Sequence, residues 1–194
     1  MKRHSIPTLA AAVAFAAVAA SLLVESLTGA AAAGPATSPK VARGEYLVRT
    51  MDCNGCHTPW VVGPQGPAPD ESRLLSGHPQ DLTMPPAPDL GDGPWVWIGA
   101  GTNTAFAGPW GVSFAANLTP DRETGLGTWD EATFIAALRS GRHEGQGRPI
   151  LPPMPWNNYG KATDEDLGAM FAYLQSIPAQ RNRVPQPVEP AEVR

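Results

Sequence analysis

The chain contains two cysteines, and they stand three apart with a histidine directly after the second: Cys53-Asn54-Gly55-Cys56-His57. Two thiols at this spacing can add across the vinyl groups of one haem while the adjacent imidazole becomes the proximal iron ligand. Competing uses of a cysteine pair are less well supported. A redox dithiol calls for a βαβ context, and a zinc site needs further ligands at matching spacing. The rest of the sequence offers neither; a structural disulfide is the third alternative use of the pair. Cys53, Cys56 and His57 are therefore the candidate attachment and ligand set for one covalent haem c.

A haem iron held by His57 has a second axial position to fill. Six side chains qualify by type: Met51, Met84, Met154, Met170, His78 and His143. Met51 and Met170 fall on the apolar faces of expected helices, which suits packing. Met154 lies in Leu151-Pro152-Pro153-Met154-Pro155-Trp156, where the prolines fix φ and remove backbone donors. Such a loop can present a soft thioether at low ordering cost. Met84, in Met84-Pro85-Pro86, shares the proline context and competes with it. His78 and His143 read as solvated loop histidines. Arg142 or Arg148, just before the methionine segment, could pair with a haem carboxylate.

These side chains need elements to hold them. A helix is expected from Pro39 or Lys40 to Asp52, delivering the chain to Cys53, with Tyr46, Leu47 and Met51 near one face. Residues 58–112 carry Gly63-Pro64, Gly66-Pro67, Pro85-Pro86 and Gly91-Asp92-Gly93-Pro94, which stop any long helix. This is a long irregular Pro/Gly-rich insertion, with room for a small β-ribbon between Trp95 and Phe114. A second helix is expected from a Thr128/Glu131 capping box to Gly141, with Phe134, Ile135 and Leu138 inward. A third runs from Thr163 to Pro178, with Asp164, Glu165 and Asp166 in its first turn and Leu167, Met170, Phe171 and Leu174 as its core stripe. The expected fold class is all-α, a helical fold around one haem.

Composition bounds the rest. With 14 basic and 18 acidic residues the net charge is -4, which argues against a nucleic-acid surface. Aromatic residues make up only 7% of the chain, so a bound apolar cofactor would supply much of the core. Lys2, Arg3 and His4, an Ala/Val/Leu run from Leu9 to Val24, and Ala30 to Ala33 before Gly34 have the order of an export signal. The expected organisation is a signal peptide over 1–33, a linker over 34–39, a haem domain over 40–178 and an extended proline-rich tail over 179–194. An uncleaved N-terminal anchor is the alternative to cleavage, and membrane contact is expected only in that case. Either outcome puts the body outside the cytoplasm, in the periplasm.

The order helix, C-x-x-C-H, long loop, helix, methionine loop, terminal helix resembles class I c-type cytochromes. Gly44 to Thr58, Asn117-Leu-Thr-Pro-Asp121, Thr124 to Trp129, Met154-Pro155 with Tyr159, and Thr163 to Leu167 are most similar to the haem modules of cytochrome c subunits of bacterial membrane-bound alcohol and gluconate dehydrogenases. The resemblance implies Met154 as the distal ligand beside His57. It also implies single-electron transfer with a redox partner protein: a dehydrogenase, an oxidase or another cytochrome. The chain departs from the pattern in having one C-x-x-C-H where those subunits usually have several. A haem enzyme or sensor with an open distal position is the competing function.

Overall fold

The computed structural model describes residues 38–190. The expected signal peptide over 1–33, most of the 34–39 linker and the last four residues of the tail lie outside the described residues. Helix α1 (Pro39–Thr50) opens where the sequence placed it. The Ser38 hydroxyl accepts the Val41 N–H at 3.3 Å, and Pro39 takes the first helical position, where no donor is needed. The helix stops at Thr50, short of the expected Asp52. Asp52 adopts φ 57°, ψ 37°, a left-handed conformation that breaks the helix, and a separate turn α2 (Cys53–His57) carries the C-x-x-C-H segment.

The core forms where α1 meets the terminal helices. In α5 (Asp164–Ser176) the Thr163 hydroxyl caps the Asp166 N–H, and Leu167, Met170, Phe171 and Leu174 are buried. Gly44 of α1 lies against the Ala169 carbonyl of α5, so a Cβ there would overlap backbone. Helix α3 (Glu131–Ser140) joins them by setting Phe134 against Phe171 with ring centres 5.5 Å apart. Its cap differs from expectation. Asp130, in extended backbone, accepts the Thr133 N–H at 2.7 Å, and Glu131 instead reaches Lys40 Nζ at 2.7 Å on α1. A carboxylate at Asp130 outcompetes the Thr128 hydroxyl because it accepts with a full charge at the helix N-terminus. Gly141 ends α3 in the left-handed region, as read from the sequence. A short helix α4 (Trp156–Tyr159) lies between α3 and α5.

The all-α expectation does not hold. Five strands form two antiparallel sheets among the described residues. Strands β1 (Trp60–Gly63) and β2 (Gly66–Pro69) pair as a hairpin. Strands β3 (Ile98–Gly99), β4 (Ala105–Gly108) and β5 (Gly111–Phe114) form a sheet in the order β3-β4-β5. Pro/Gly clusters hid the hairpin because they stop helices, yet Pro67 and Pro69 are tolerated in a two-stranded sheet in which both strands are edges. The three-stranded sheet falls within the stretch that left room for a β-ribbon.

The tail is extended but not loose. Asn182 is buried, and its amide donates to the carbonyls of Ser76 (2.7 Å) and His78 (2.8 Å) while its oxygen accepts the Gln80 N–H at 2.9 Å. Val188 and Val112 exchange two backbone hydrogen bonds of 2.8 and 2.9 Å, fastening the tail to β5. Asn182→Ala strands three backbone groups at once and should destabilise the protein by about 3 kcal/mol. Urea unfolding should show a lower midpoint with an unchanged slope.

Candidate functional site

The C-x-x-C-H turn is held from the insertion. The Gly55 carbonyl accepts from Trp60 Nε1 (3.0 Å) and from Asn103 Nδ2 (2.6 Å), a residue in the turn between β3 and β4. The Gly77 N–H donates to the His57 carbonyl at 2.7 Å. Gly77 has φ 79° and lies flat on the Ala115-Ala116 backbone, where a Cβ would collide. That close approach brings the Ala116 carbonyl to His57, whose Nδ1–H donates to it at 2.8 Å.

This bond fixes the imidazole tautomer. Burial pushes the His57 pKa down against the smaller opposing effect of the Ala116 carbonyl, so the ring is neutral. With Nδ1 protonated, Nε2 carries the lone pair, and it has no hydrogen-bond partner among the described residues. The arrangement suits a metal ligand whose orientation is set by its outer hydrogen bond. Burial also pushes the Cys53 thiol up to about 12, with Asp52 adding to the rise, and raises Cys56 in the same direction.

Cys53, Cys56, His57 and Met154 all line one cavity of about 460 Å³. Its walls are largely apolar, with Phe106, Phe114, Leu118, Leu126, Leu138 and Leu174 among them. The volume lies in the range of roughly 300–1,000 Å³ that holds cofactor-sized ligands. Two thiols on one wall, an imidazole with a free lone pair, an apolar interior and a thioether on a separate segment fit an iron porphyrin.

The other candidates separate by position. Met84 does not line the cavity, and neither does Met51, which packs against the core. His78 is fully buried, with Nδ1 at 2.9 Å from Thr104 Oγ1 and Nε2 at 3.1 Å from the Leu82 carbonyl, so both nitrogens are engaged elsewhere. Met170 and His143 do line the cavity. Met170 is a fully packed α5 core residue, and His143 sets its ring edge-on to Trp129 at 5.2 Å.

Arg148 lines the cavity, as do Arg122 and Arg183, and none of the three has a carboxylate partner among the described residues. Arg142 does not line it and bonds the Gly147 carbonyl at 2.9 Å. Tyr159 donates its hydroxyl to the Met51 carbonyl at 2.9 Å, and burial pushes its phenol up to about 12. Sequence reasoning missed the contribution of the tail, which lines the cavity from Arg183 to Pro187.

No family model matches the chain. Curated relatives do. The cytochrome c subunit of a quinone-dependent alcohol dehydrogenase from Gluconobacter oxydans (strain 621H) is 30% identical over 146 residues, which is 75% of this chain and 23% of that subunit. The gluconate 2-dehydrogenase cytochrome c subunit of Pantoea cypripedii is 31% identical over 134 residues, 69% of this chain and 22% of that subunit. This chain is a relative of dehydrogenase cytochrome c subunits. A diheme c-type cytochrome of Cereibacter sphaeroides is also related, at 25% identity over 142 residues, 72% of this chain and 36% of that protein. The chain thus spans less than a quarter of each dehydrogenase subunit, so the shared part is a cytochrome module. Both the thiol pair and the Met154 loop of the module face the same cavity.

Proposed function

We propose that this chain is an exported c-type cytochrome that carries single electrons, with one haem on Cys53 and Cys56 and with His57 and Met154 as axial ligands. The observation that carries the reading is that all four residues line one apolar cavity. Bound haem supplies one reversible electron per iron. The chain's own residues determine how that capacity is used. The thioether bonds to Cys53 and Cys56 prevent loss of the group through repeated encounters. The Ala116 carbonyl keeps His57 oriented and Nε2 available. A neutral thioether from Met154 favours the ferrous state relative to a second imidazole, and the apolar walls keep water from the centre. With His57 and Met154 both holding the group, outer-sphere electron exchange is the chemistry it would supply.

A dehydrogenase is the proposed electron donor, on the strength of the relatives' names. The proposal of one haem is supported by the single C-x-x-C-H motif of this sequence. Export to the periplasm is supported by the basic n-region, apolar run and alanine patch of residues 1–33. Among the described residues no helix is long and apolar enough to cross a membrane.

The purified ferric protein tests the whole reading. One haem per chain, a low-spin visible spectrum, a near-infrared thioether–iron band and a mass that begins near Gly34 are expected. Ready carbon monoxide binding by the unmodified ferrous protein would point to an open-site enzyme or sensor instead.

A further inference from the structure

The segment expected to present Met154 has few means of holding its place. Pro152, Pro153 and Pro155 have no N–H to donate. Among the described residues, 151–154 make one hydrogen bond: the Pro152 carbonyl accepts from Ser113 Oγ at 2.6 Å. Ser113 lies on β5 and is only 7% exposed. Its oxygen in turn accepts the indole N–H of Trp110 at 3.3 Å, while the Phe106 carbonyl, at 3.4 Å, is the weaker alternative acceptor for its proton. Trp110 N–H to Ser113 O–H to Pro152 C=O is therefore a relay in which each bond polarises the next.

The sheet that carries Ser113 also touches the C-x-x-C-H turn. Asn103, in the turn entering β4, holds the Gly55 carbonyl inside the C-x-x-C-H turn. Next to Ser113, Val112 holds the tail through Val188. One sheet thus links the His57 side of the cavity to the Met154 loop, and Ser113 makes the loop end of that link.

We propose that Ser113 is a positioning residue for Met154, fixing the methionine loop at the distance from the His57 turn that the sheet sets; this rests on the reading of Met154 as distal ligand. Ser113→Ala leaves the Pro152 carbonyl and the Trp110 N–H unpaired and removes the one hydrogen bond that residues 151–154 make among the described residues. Departure of the thioether from iron then becomes easier while the attachment side is unchanged.

The test is imidazole titration of the ferric holoprotein, followed by the thioether–iron band. Ser113→Ala should bind imidazole about fivefold more tightly than the unmodified protein, the factor expected for one lost hydrogen bond. Its thioether band should fade on warming at temperatures well below global unfolding, followed by far-ultraviolet circular dichroism. Ser113→Thr, which keeps the hydroxyl on a strand, should restore both values. If Ser113→Ala does not accumulate as folded holoprotein, Trp110→Phe carries the test, with tightening of about twofold expected and an unchanged affinity overturning the proposal. Met154→Ala separates the two levels. Retention of the band in that variant would remove the ligand assignment and this inference with it. Loss of the band there, with unchanged imidazole affinity in Ser113→Ala, would overturn the positioning role alone.

Discussion

Replacing both Cys53 and Cys56 with alanine is expected to abolish covalent haem, because the chain has no other thiol. Either single replacement should leave at most one thioether bond. The measurement is haem that stays with the denatured protein after acid–acetone extraction, and its persistence in the double variant would defeat the attachment assignment. The effect should extend to the fold. Without the haem the largely apolar walls of this opening would face water, at a cost of roughly 25 cal/mol for each Å² of apolar surface the group would have covered, against a domain stability of only about 5–15 kcal/mol. The double variant should therefore lose fixed aromatic packing, seen as loss of near-ultraviolet circular dichroism, and should be far more sensitive to protease than the single variants.

The residues that make up the candidate site were legible because each carries a local signature. Covalent attachment needs cysteines at fixed spacing with histidine next to them, and a rigid methionine loop needs its prolines. The helices that frame the site were legible for similar reasons. Thr163 and Gly141 are helix-end residues whose effect is confined to one turn, and the apolar stripes of α3 and α5 repeat at helical period. What escaped reading is long-range. The β1–β2 hairpin is set by pairing between strands rich in proline and glycine, residues that locally argue only against a helix. Asn103 and Ser113 act on Gly55 and Pro152, 48 and 39 residues away in the chain, and nothing near either residue announces that contact. The tail read as extended and lying on the surface or mobile, whereas its described part buries Asn182 and lines the cavity. Its attachment depends on carbonyls of residues 76 and 78, and their orientation is fixed only after Gly77 has turned.

The largest spectroscopic change is expected from Met154→Ala. Of the six side chains that qualified by type, Met51 and Met84 lie away from the cavity, and His78 has both nitrogens bonded elsewhere. Met154, Met170 and His143 remain. Met170 is 2% exposed on α5, where its side chain fills the core, so Met170→Leu conserves volume and should leave ligation alone. His143 sits on a short turn after α3 with its ring edge-on to Trp129, and His143→Ala should likewise keep the thioether band. Met154→Ala removes the donor and creates space beside the iron. A high-spin component, ready carbon monoxide binding in the ferrous state and a lower reduction potential should follow. Stability should fall by about 2 kcal/mol, the low end for a methionine truncation, because the side chain is only half-buried. The comparison across variants is decisive because it assigns a different spectrum to each ligand. A thioether band lost in Met170→Leu but kept in Met154→Ala would transfer the distal role to α5. A nitrogen-ligand spectrum lost only in His143→Ala would transfer it to the turn, and the stiffness of the proline loop would then need another explanation.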